Sequence, residues 1–265
     1  MAKLFIVGTP IGNLGDLSPR AKETLRAADV IACEDTRHSR PLLAEIGADA
    51  WTIAYHKFNE AECALKIVDL VRQGKNVALI TDAGMPSVSD PGAEVVALCR
   101  REGIDVESVP GPSAVVTAVA LSGVKGKGFV FLGFLPEKQS ARRRAVERAA
   151  AACLPIVIYA APHDVRRLAA ELGDILGDRK VYAVREMTKL HECVTESTLL
   201  SFECEERGEI VLVIEGAEEE NALLSLTPEE HLAHYVDSGM DKKEAVKRVA
   251  AERGVPRNEI YKLTL

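Results

Sequence analysis

The stretch Leu79–Gly92, LITDAGMPSVSDPG, decides how the rest of this chain is interpreted. It continues a short apolar run, Val77–Ile80, which predicts a buried β-strand because the run is brief and is followed by turn residues. The residues after this run are too rich in Gly, Pro, Ser and Asp to extend a strand or to begin a helix at once. In an open α/β sheet, ligands bind outside the carboxyl ends of the strands. The loop is therefore either an exposed turn or part of a binding site.

The flanking sequence repeats the pattern of strand, loop and helix, which predicts an α/β fold with a mostly parallel sheet. Strands are predicted at 3–8, 30–32, 52–55, 77–80 and 106–109, and the pattern resumes after a Gly-rich segment with strands at 129–134, 155–159, 180–184 and 209–214. A helix is predicted at 195–204, and further helices follow residue 216. We expect three parts: an N-terminal α/β domain at 1–122, a second α/β domain at 123–217 and a helical tail at 218–265.

The composition excludes several classes of protein. The chain has 265 residues and a formal net charge of −7, which argues against indiscriminate binding of DNA or RNA through a global positive field. The six cysteines show neither a CxxC pair nor metal-ligand spacing, so we expect a reducing compartment and no metal. We also expect no secretory signal, no membrane span, no DNA partner and a cytoplasmic location.

Four predicted strands of the first half end in loops of turn and polar residues. The loops are Gly8–Pro10, Glu34–Arg37, Thr81–Gly84 and Pro110–Ser113, and we call the sheet edge that they form the rim. One such loop would be unremarkable, whereas four at one edge indicate a binding site. The chain lacks GxGxxG after its first strand and lacks GxxxxGK[ST], which argues against a dinucleotide or a nucleoside triphosphate bound in the usual modes.

Basic residues are clustered despite the acidic total. The group Arg142–Arg148 on one predicted helix is interpreted as a solvated helix face. Arg37 and Arg40 follow a strand end, and Arg185 and Lys189 follow another, so a binding role is favoured for these four.

Six motifs occur in a characteristic order along the chain. They are VGTPIGNLGD (7–16), EDTRHS (34–39), LITDAGMPSVSDPG (79–92), VPGPSA (109–114), GFLP (133–136) and REMTKLHE (185–192). Together they resemble the bacterial ribosomal small-subunit methyltransferase I family, a branch of the tetrapyrrole-methylase superfamily. The resemblance covers essentially the whole chain, and residues 239–262 resemble the family's helix-turn-helix-like C-terminal segment. The stretch 159–164 departs from the pattern, because the family usually has Ser or Glu-Ser before Pro-His and Arg after it.

This resemblance implies methyl transfer from S-adenosylmethionine to the ribose 2′-hydroxyl of a cytidine in the decoding region of 16S rRNA. It implies two α/β domains of the tetrapyrrole-methylase type (class III methyltransferase), with the cofactor in the cleft between them. The implied partners are 16S rRNA within the small ribosomal subunit and a second copy of the chain in a homodimer.

Site residues are carried over by motif. The cofactor-contacting positions are Pro10, Thr81, Asp82, Gly84, Met85, Val88, Ser113, Ala114, Tyr159 and Ala160. The residues expected to bind RNA are Arg37, Arg40, Arg185 and Lys189. The candidates for a base that accepts the hydroxyl proton are Glu34, Asp35, Glu186 and His191, and the sequence does not choose among them.

Two other functions stay open at this point. One is a small-molecule methylase acting on a tetrapyrrole, which would need an apolar trough where EDTRHS and REMTKLHE place charges. The other is a non-catalytic RNA-binding assembly factor that has kept the cofactor fold.

Overall fold

A computed structural model describes residues 2–217, 223 and 226–263 of the chain. The chain divides into two compact units, Met1–Gly216 and Ala217–Leu265. The first unit contains two separate sheets with their helices, and the second unit is helical.

The first sheet is parallel throughout. Its strands are β1 (Leu4–Val7), β2 (Val30–Cys33), β3 (Trp51–Ala54), β4 (Val77–Leu79) and β5 (Val106–Val109), in the order β3-β2-β4-β1-β5. The helices between and after them are α1 (Pro19–Ala27), α2 (Thr36–Glu45), α3 (Glu60–Arg72), α4 (Ala93–Arg101) and α5 (Ala114–Ser122). Strand β4 is buried along its whole length, which explains why its sequence is continuously apolar rather than alternating. The predicted parallel α/β sheet is confirmed.

Helix α2 begins inside a charged stretch for which the sequence pattern gave no helix. Its N-cap is Asp35, whose carboxylate accepts the backbone N–H of Arg37. This local hydrogen bond satisfies a donor of the first helical turn, so the helix begins directly at the strand end.

The second sheet is mixed. Its strands are β6 (Val130–Phe134), β7 (Ile156–Ala160), β8 (Lys180–Arg185), β9 (Cys193–Thr198) and β10 (Ile210–Ile214), in the order β6-β7-β10-β8-β9, with helices α6 (Gln139–Ala150) and α7 (Val165–Leu176). Strand β6 runs parallel to β7, whereas β10 is antiparallel to β7 and to β8.

The helix predicted at 195–204 is wrong. Residues 193–198 form β9, which pairs antiparallel with β8 from Cys193 opposite Arg185 to Thr198 opposite Lys180. The segment CVTEST is rich in β-branched residues, and cross-strand pairing with the sheet edge outweighs any weak helical pattern.

A shared core joins the two halves of the first unit. Helix α5 packs on the second sheet, and its Val115 and Ala118 lie in one buried cluster with Val184 and Val211. The sequence of α5 is apolar almost all round, although Val116 and Leu121 are exposed.

The second unit contains α8 (Pro228–Asp237), α9 (Lys242–Arg253) and α10 (Arg257–Lys262). Helix α8 begins with a capping box between Thr227 and Glu230. These helices form a small core of their own that includes Leu232, Val249 and Ile260. None of the helices in the described residues is long and apolar enough to span a bilayer.

Candidate functional site

One cavity of the first unit, here called the main cavity, has a volume of about 370 Å³ and lies between the rim and the second sheet. From the first half, its walls include Gly84, Met85, Val88, Asp90, Ser113 and Ala114, and from the second half Phe134, Tyr159, Ala160, Met187, Glu209 and Ile210. Most of these side chains are apolar, and a few polar groups lie among them. Such a cavity is typical of a small-molecule or cofactor site.

A buried threonine fixes the loops that form this cavity. Thr9, in the loop after β1, exchanges two backbone hydrogen bonds with Gly84, at 2.9 and 3.2 Å. Its hydroxyl also donates to the Thr81 carbonyl oxygen at 3.0 Å. The loop after β1 is therefore held to the loop after β4, here called the central loop (residues 80–92), by two main-chain hydrogen bonds and the hydroxyl of Thr9.

Seven of the ten residues predicted to contact the cofactor line the main cavity. These are Gly84, Met85, Val88, Ser113, Ala114, Tyr159 and Ala160. The other three, Pro10, Thr81 and Asp82, line a second cavity of about 410 Å³. The central loop thus contributes to both cavities, residues 81–82 to the second one and residues 83–85 to the main one.

The second cavity lies between the first rim loop and the start of α2. Its wall includes Pro10, Leu14, Arg37 and Leu42 besides the central loop. One carboxylate oxygen of Asp82 is buried and has no hydrogen-bond partner among the described residues. A buried carboxylate oxygen without a partner is costly, so this atom indicates a position where a ligand donor would bind.

The hydroxyl of Thr81, a residue that is 3 % exposed, lies close to the carboxylates of Glu34 and Asp90. Its single proton can be donated to a carboxylate oxygen of Glu34, over 3.5 Å, or to Asp90, but not to both at once. Burial is the largest cause that raises the pKa of Asp90, and together with the charges of Glu34 and Asp82, and against the hydrogen bond from Thr81, it brings this pKa to about 6. Asp90 was not among the site residues predicted from the sequence, although it lies in the SDPG segment at the end of the stretch Leu79–Gly92.

Two of the four predicted bases are held by cations. Asp35 forms two hydrogen bonds with the Arg37 guanidinium, which is the main reason that its pKa is lowered to about 2. The Glu186 pKa is also lowered, because the Glu209 N–H and the Lys189 ammonium donate to its carboxylate. These two carboxylates are weak proton acceptors near neutral pH.

The other two candidate bases, Glu34 and His191, differ in their surroundings. Glu34 is half-buried beside Thr81, whereas His191 is exposed in the loop between β8 and β9. Glu34 is thus the only one of the four placed next to the central loop by a hydrogen bond among the described residues.

The residues predicted to bind RNA are not equally accessible. Arg37 is highly exposed, with 88 % of its side chain accessible, and Arg40 is exposed too. Lys189 bridges Glu186 at 3.0 Å and Glu209 at 3.1 Å. Arg185 is only 6 % exposed, and its guanidinium pairs with Glu205 at 2.9 Å.

The interpretation of Arg142–Arg148 as a solvated face is wrong for Arg142 itself. Arg142 is buried with Val146 and Ala149 on the inner side of α6, and its guanidinium pairs with Glu171 at 2.9 Å. Arg143, Arg144 and Arg148 are exposed, as predicted. In the segment that departs from the family pattern, Asp164 forms an ion pair with Arg167.

The fold and the site define a class of protein. Residues 3–203 match the family described as Tetrapyrrole (Corrin/Porphyrin) Methylases. Among solved structures, the methyltransferase CobJ superposes with a TM-score of 0.64 at 17 % identity, covering 82 % of this chain and 95 % of that one. Uroporphyrin-III C-methyltransferase from Thermus thermophilus, complexed with S-adenosyl homocysteine, superposes with a TM-score of 0.57 at 21 % identity, covering 81 % of this chain and 97 % of that one. These two similarities show the shared fold.

Sequence relatives define the family more narrowly. The ribosomal RNA small subunit methyltransferase I of Halalkalibacterium halodurans is 39 % identical over 98 % of this chain and 93 % of that protein. The proteins of the same name from Bacillus subtilis and Thermotoga maritima are 38 % and 42 % identical, covering 98 % and 82 % of this chain and 93 % and 100 % of those proteins. The chain belongs to the ribosomal RNA small subunit methyltransferase I family of tetrapyrrole methylases.

Proposed function

We propose that this chain methylates the ribose 2′-hydroxyl of a cytidine in the decoding region of 16S rRNA, with S-adenosylmethionine as methyl donor. Membership of the family makes the chain an S-adenosylmethionine-dependent RNA methyltransferase. The proposal goes beyond family membership by naming the acceptor atom, the ribose 2′-oxygen, and the methylated nucleotide, a cytidine. The observation that carries it is the pair of cavities that share the central loop, because the reaction needs a cofactor and a nucleotide side by side.

The main cavity fits the cofactor. Its volume of about 370 Å³ suits a ligand of this size, and its apolar walls suit an adenine ring and a thioether. Met85, Ala114 and Ile210 would contact the apolar parts, while Ser113 would offer a hydrogen bond to a polar group. Asp82 lines the second cavity, so its buried oxygen, which has no partner among the described residues, would accept a cofactor N–H or O–H only where the cofactor reaches past the loop after β4. When bound, S-adenosylmethionine supplies a methyl group already activated by a positive sulfur.

The second cavity is proposed to receive the target nucleotide. Arg37 lines it and is exposed, and Arg40 lies on the next turn of α2. Guanidinium groups bind phosphates and stack on unpaired bases. We propose that both arginines contact the RNA, and that Lys189 does so by exchanging one of its glutamates for a phosphate. Arg185 would have to break its ion pair with Glu205 before it could bind RNA, so we assign it a minor role in RNA binding.

The chain's own contribution to the reaction is alignment together with proton removal. Positioning of two reactants can supply about 7–11 kcal/mol of a barrier in favourable cases. The ribose hydroxyl is a weak nucleophile, and a positioned base contributes about 10²- to 10⁴-fold. The homodimer, the cytoplasmic location and the absence of DNA and membrane partners stay predictions.

The test is incubation of the purified chain with labelled S-adenosylmethionine and either small ribosomal subunits or naked 16S rRNA, followed by nucleoside mapping. We expect 2′-O-methylcytidine at one position. Label on a base, or on another nucleoside, would contradict the proposal. Methylation of an added tetrapyrrole in place of RNA would favour the small-molecule methylase, and cofactor binding without any transfer would favour the assembly factor.

Two variants on α5 test whether methyl transfer depends on the main cavity. Ala114 lines the cavity, whereas Ala120 is exposed on the same helix. We expect Ala114→Leu to abolish transfer by filling part of the cavity and Ala120→Leu to leave it unchanged.

A further inference from the structure

We propose that Phe58 is a stacking site for an unpaired base of the RNA substrate, a base other than the methylated cytidine. The assignment rests on the RNA substrate of the proposed function and extends it to a second nucleotide. Phe58 lies in the loop 55–59 between β3 and α3, a segment that was not among the RNA-binding residues predicted from the sequence. Its place in the sheet, its fixed backbone, its exposure and its neighbouring cation support the assignment.

The loop 55–59 leaves the first sheet at the same edge as the rim loops. Strand β3 is the outermost strand and runs parallel to β2, and the Tyr55 N–H donates to the Cys33 carbonyl oxygen at 2.8 Å. The chain that follows Cys33 leads to Arg37, which lines the second cavity. Because neighbouring strands lie about 4.8 Å apart, the loop begins beside the segment that carries Arg37. It therefore extends the rim outward from the proposed nucleotide site.

The turn at the tip of this loop is held by Asn59. The side-chain oxygen of Asn59 accepts the His56 N–H at 2.8 Å, and its amide nitrogen donates to the Ala54 carbonyl oxygen at 3.0 Å. The Asn59 N–H donates in turn to the His56 carbonyl oxygen at 2.9 Å. The backbone of Lys57 and Phe58 is thus fixed between these bonds. A ring on a fixed backbone loses little conformational freedom when a ligand binds it.

Glu60 joins this loop to the central loop. One oxygen of its carboxylate accepts the Gly92 N–H at 2.9 Å and the Tyr55 hydroxyl at 3.3 Å. Tyr55 itself is buried in the core of the first sheet. The loop 55–59 is therefore anchored at its base to the segment whose residues line both cavities.

The Phe58 side chain extends from this fixed turn into solvent. At 85 % exposure it is the most exposed aromatic residue of the described chain. The Lys57 Nζ lies 4.9 Å from the centre of its ring, and the His56 ring meets it edge-on at 6.1 Å. A single exposed apolar side chain is common on protein surfaces. Phe58 differs from such a side chain by its held backbone, its cation and its place beside the rim.

An exposed ring next to an available cation fits a base and its phosphate. Unpaired RNA bases stack on aromatic side chains, and every base has a face that can do so. Lys57 forms no ion pair within the described part of the chain, so its ammonium can move from the ring to a phosphate. A protein partner would bury the ring among apolar groups, whereas the neighbours of this ring are a lysine and a histidine. The surroundings of Phe58 therefore favour RNA.

Trp51 provides a matched control because it repeats this chemistry at the opposite edge of the sheet. Trp51 begins β3 and is 54 % exposed, and the Lys66 Nζ lies 4.9 Å from its ring. Strand β3 runs from Trp51 toward the rim, so the Trp51–Lys66 pair lies at the end of the strand away from Arg37. Only the pair at the rim is expected to contact the RNA.

Three variants separate stacking from other uses of the ring. Phe58→Leu keeps an apolar side chain but removes the aromatic face, Phe58→Tyr keeps that face, and Trp51→Leu is the control. For each variant, kcat and KM are measured with small ribosomal subunits, and binding of the same subunits is measured in the presence of S-adenosyl homocysteine. Melting temperature, cofactor affinity and molecular mass by light scattering are measured on the same samples.

We expect Phe58→Leu to raise KM and the Kd for small subunits about 5- to 150-fold, the range of one base–aromatic stack. Its kcat, cofactor affinity and melting temperature should stay unchanged, because the stack is equally strong before and during methyl transfer. Phe58→Tyr and Trp51→Leu should lie within about twofold of the wild type. Binding by Phe58→Leu within twofold of the wild type would overturn the assignment. So would a change in its molecular mass, because the ring would then contact a second copy of the chain.

Ultraviolet cross-linking of the wild type to small subunits tests the same contact without any variant. A stacked base lies against the ring, so we expect a nucleotide adduct on the peptide that contains Phe58 and none on the peptide that contains Trp51. The absence of an adduct at Phe58 would overturn the assignment even if the variants did not fold.

The binding measurements keep this assignment separate from the proposed function. If the wild type forms no 2′-O-methylcytidine but binds small subunits through Phe58, the proposed function fails and the stacking site stands. If the wild type forms 2′-O-methylcytidine and Phe58→Leu binds small subunits equally tightly, only the stacking site fails.

Discussion

Gly8 and Gly111 pack backbone against backbone at the carboxyl ends of β1 and β5. A Cβ built on Gly8 would lie 2.7 Å from the Gly111 Cα and nitrogen, and also 2.7 Å from the Met85 sulfur. A Cβ on Gly111 would lie 2.8 Å from Gly8 main-chain atoms. Two loops of the rim therefore meet where neither can carry a side chain, and the third partner, Met85, lines the main cavity.

We expect Gly8→Ala to lower both the melting temperature and the cofactor affinity, the latter by tenfold or more. The added methyl group meets backbone rather than a flexible side-chain end, so the loop at 110–113 and Met85 must move. Thermal unfolding and calorimetry with S-adenosylmethionine measure the two effects. Gly128→Ala is the control, because its Cβ would meet only ordinary contacts at 3.9 Å. Equal affinities in the two variants would contradict the prediction.

The rim could be predicted from sequence because it depends on a local rule. Each strand of a parallel sheet ends at the same edge, so Gly8–Pro10 and Pro110–Ser113 had to come together once the strands were identified. Strand β9 and the buried Arg142 could not be predicted in the same way. Each depends on a partner distant in sequence, β8 for the strand and Glu171 for the arginine.

The four candidate bases show why the choice among them needed the structure. Sequence alone gives four acidic or histidine candidates that are equal in type. Asp35 and Glu186 pair with the nearby cations Arg37 and Lys189, whereas the hydrogen bond between Thr81 and Glu34 joins residues that are distant in sequence. The motif locates the site, whereas the surroundings determine which carboxylate keeps a useful basicity.

The unpartnered carboxylate oxygen of Asp82 leads to a prediction about cofactor binding. We expect Asp82→Ala to weaken S-adenosylmethionine binding by about 10- to 150-fold, the scale of one charge-assisted hydrogen bond of about 1.5–3 kcal/mol. Calorimetry on the variant measures this directly. Unchanged cofactor affinity together with lost RNA methylation would assign the carboxylate to the nucleotide in the second cavity, whose wall it forms.

Arg37 is expected to act on RNA and not on the cofactor. Its exposed pair with Asp35 contributes little to stability, so the guanidinium is free to exchange that partner for a phosphate. We expect Arg37→Ala to lower kcat/KM for small subunits about tenfold, with cofactor affinity and melting temperature unchanged. Arg101→Ala, an exposed arginine at the end of α4, is the control and should have no effect. A lower cofactor affinity in Arg37→Ala would contradict this role.

The buried ion pair between Arg142 and Glu171 gives a prediction about stability. Arg142→Ala leaves the Glu171 carboxylate, which is 12 % exposed, without its cation, so we expect a loss of about 3–5 kcal/mol in the free energy of unfolding. Denaturant unfolding measures it. Arg144→Ala, on the exposed side of the same helix, should change stability by less than about 0.5 kcal/mol. A similar stability for both variants would show that the pair contributes nothing.

The helical unit at the C-terminal end uses some of its basic residues internally. Arg253 donates to the carbonyl oxygen of Leu226 and to the buried His231, and Arg248 lies 4.7 Å above the Tyr235 ring. The exposed basic residues on α9 and α10 include Lys243, Lys247, Arg257 and Lys262. Their charge is therefore available for a partner, and RNA phosphates would fit it.

We propose that these four residues help to dock the ribosomal substrate, and the full-length variant with all four changed to Gln tests this. It should keep its melting temperature and cofactor affinity, because none of the four belongs to the unit's core. Methylation of small subunits at low substrate concentration should fall most at low salt. The deficit should narrow as salt rises, because each phosphate contact contributes a slope of about 0.7–0.9 in log affinity against log salt. A variant that matches the wild type at every salt concentration would remove RNA docking from this unit and leave it a structural role only.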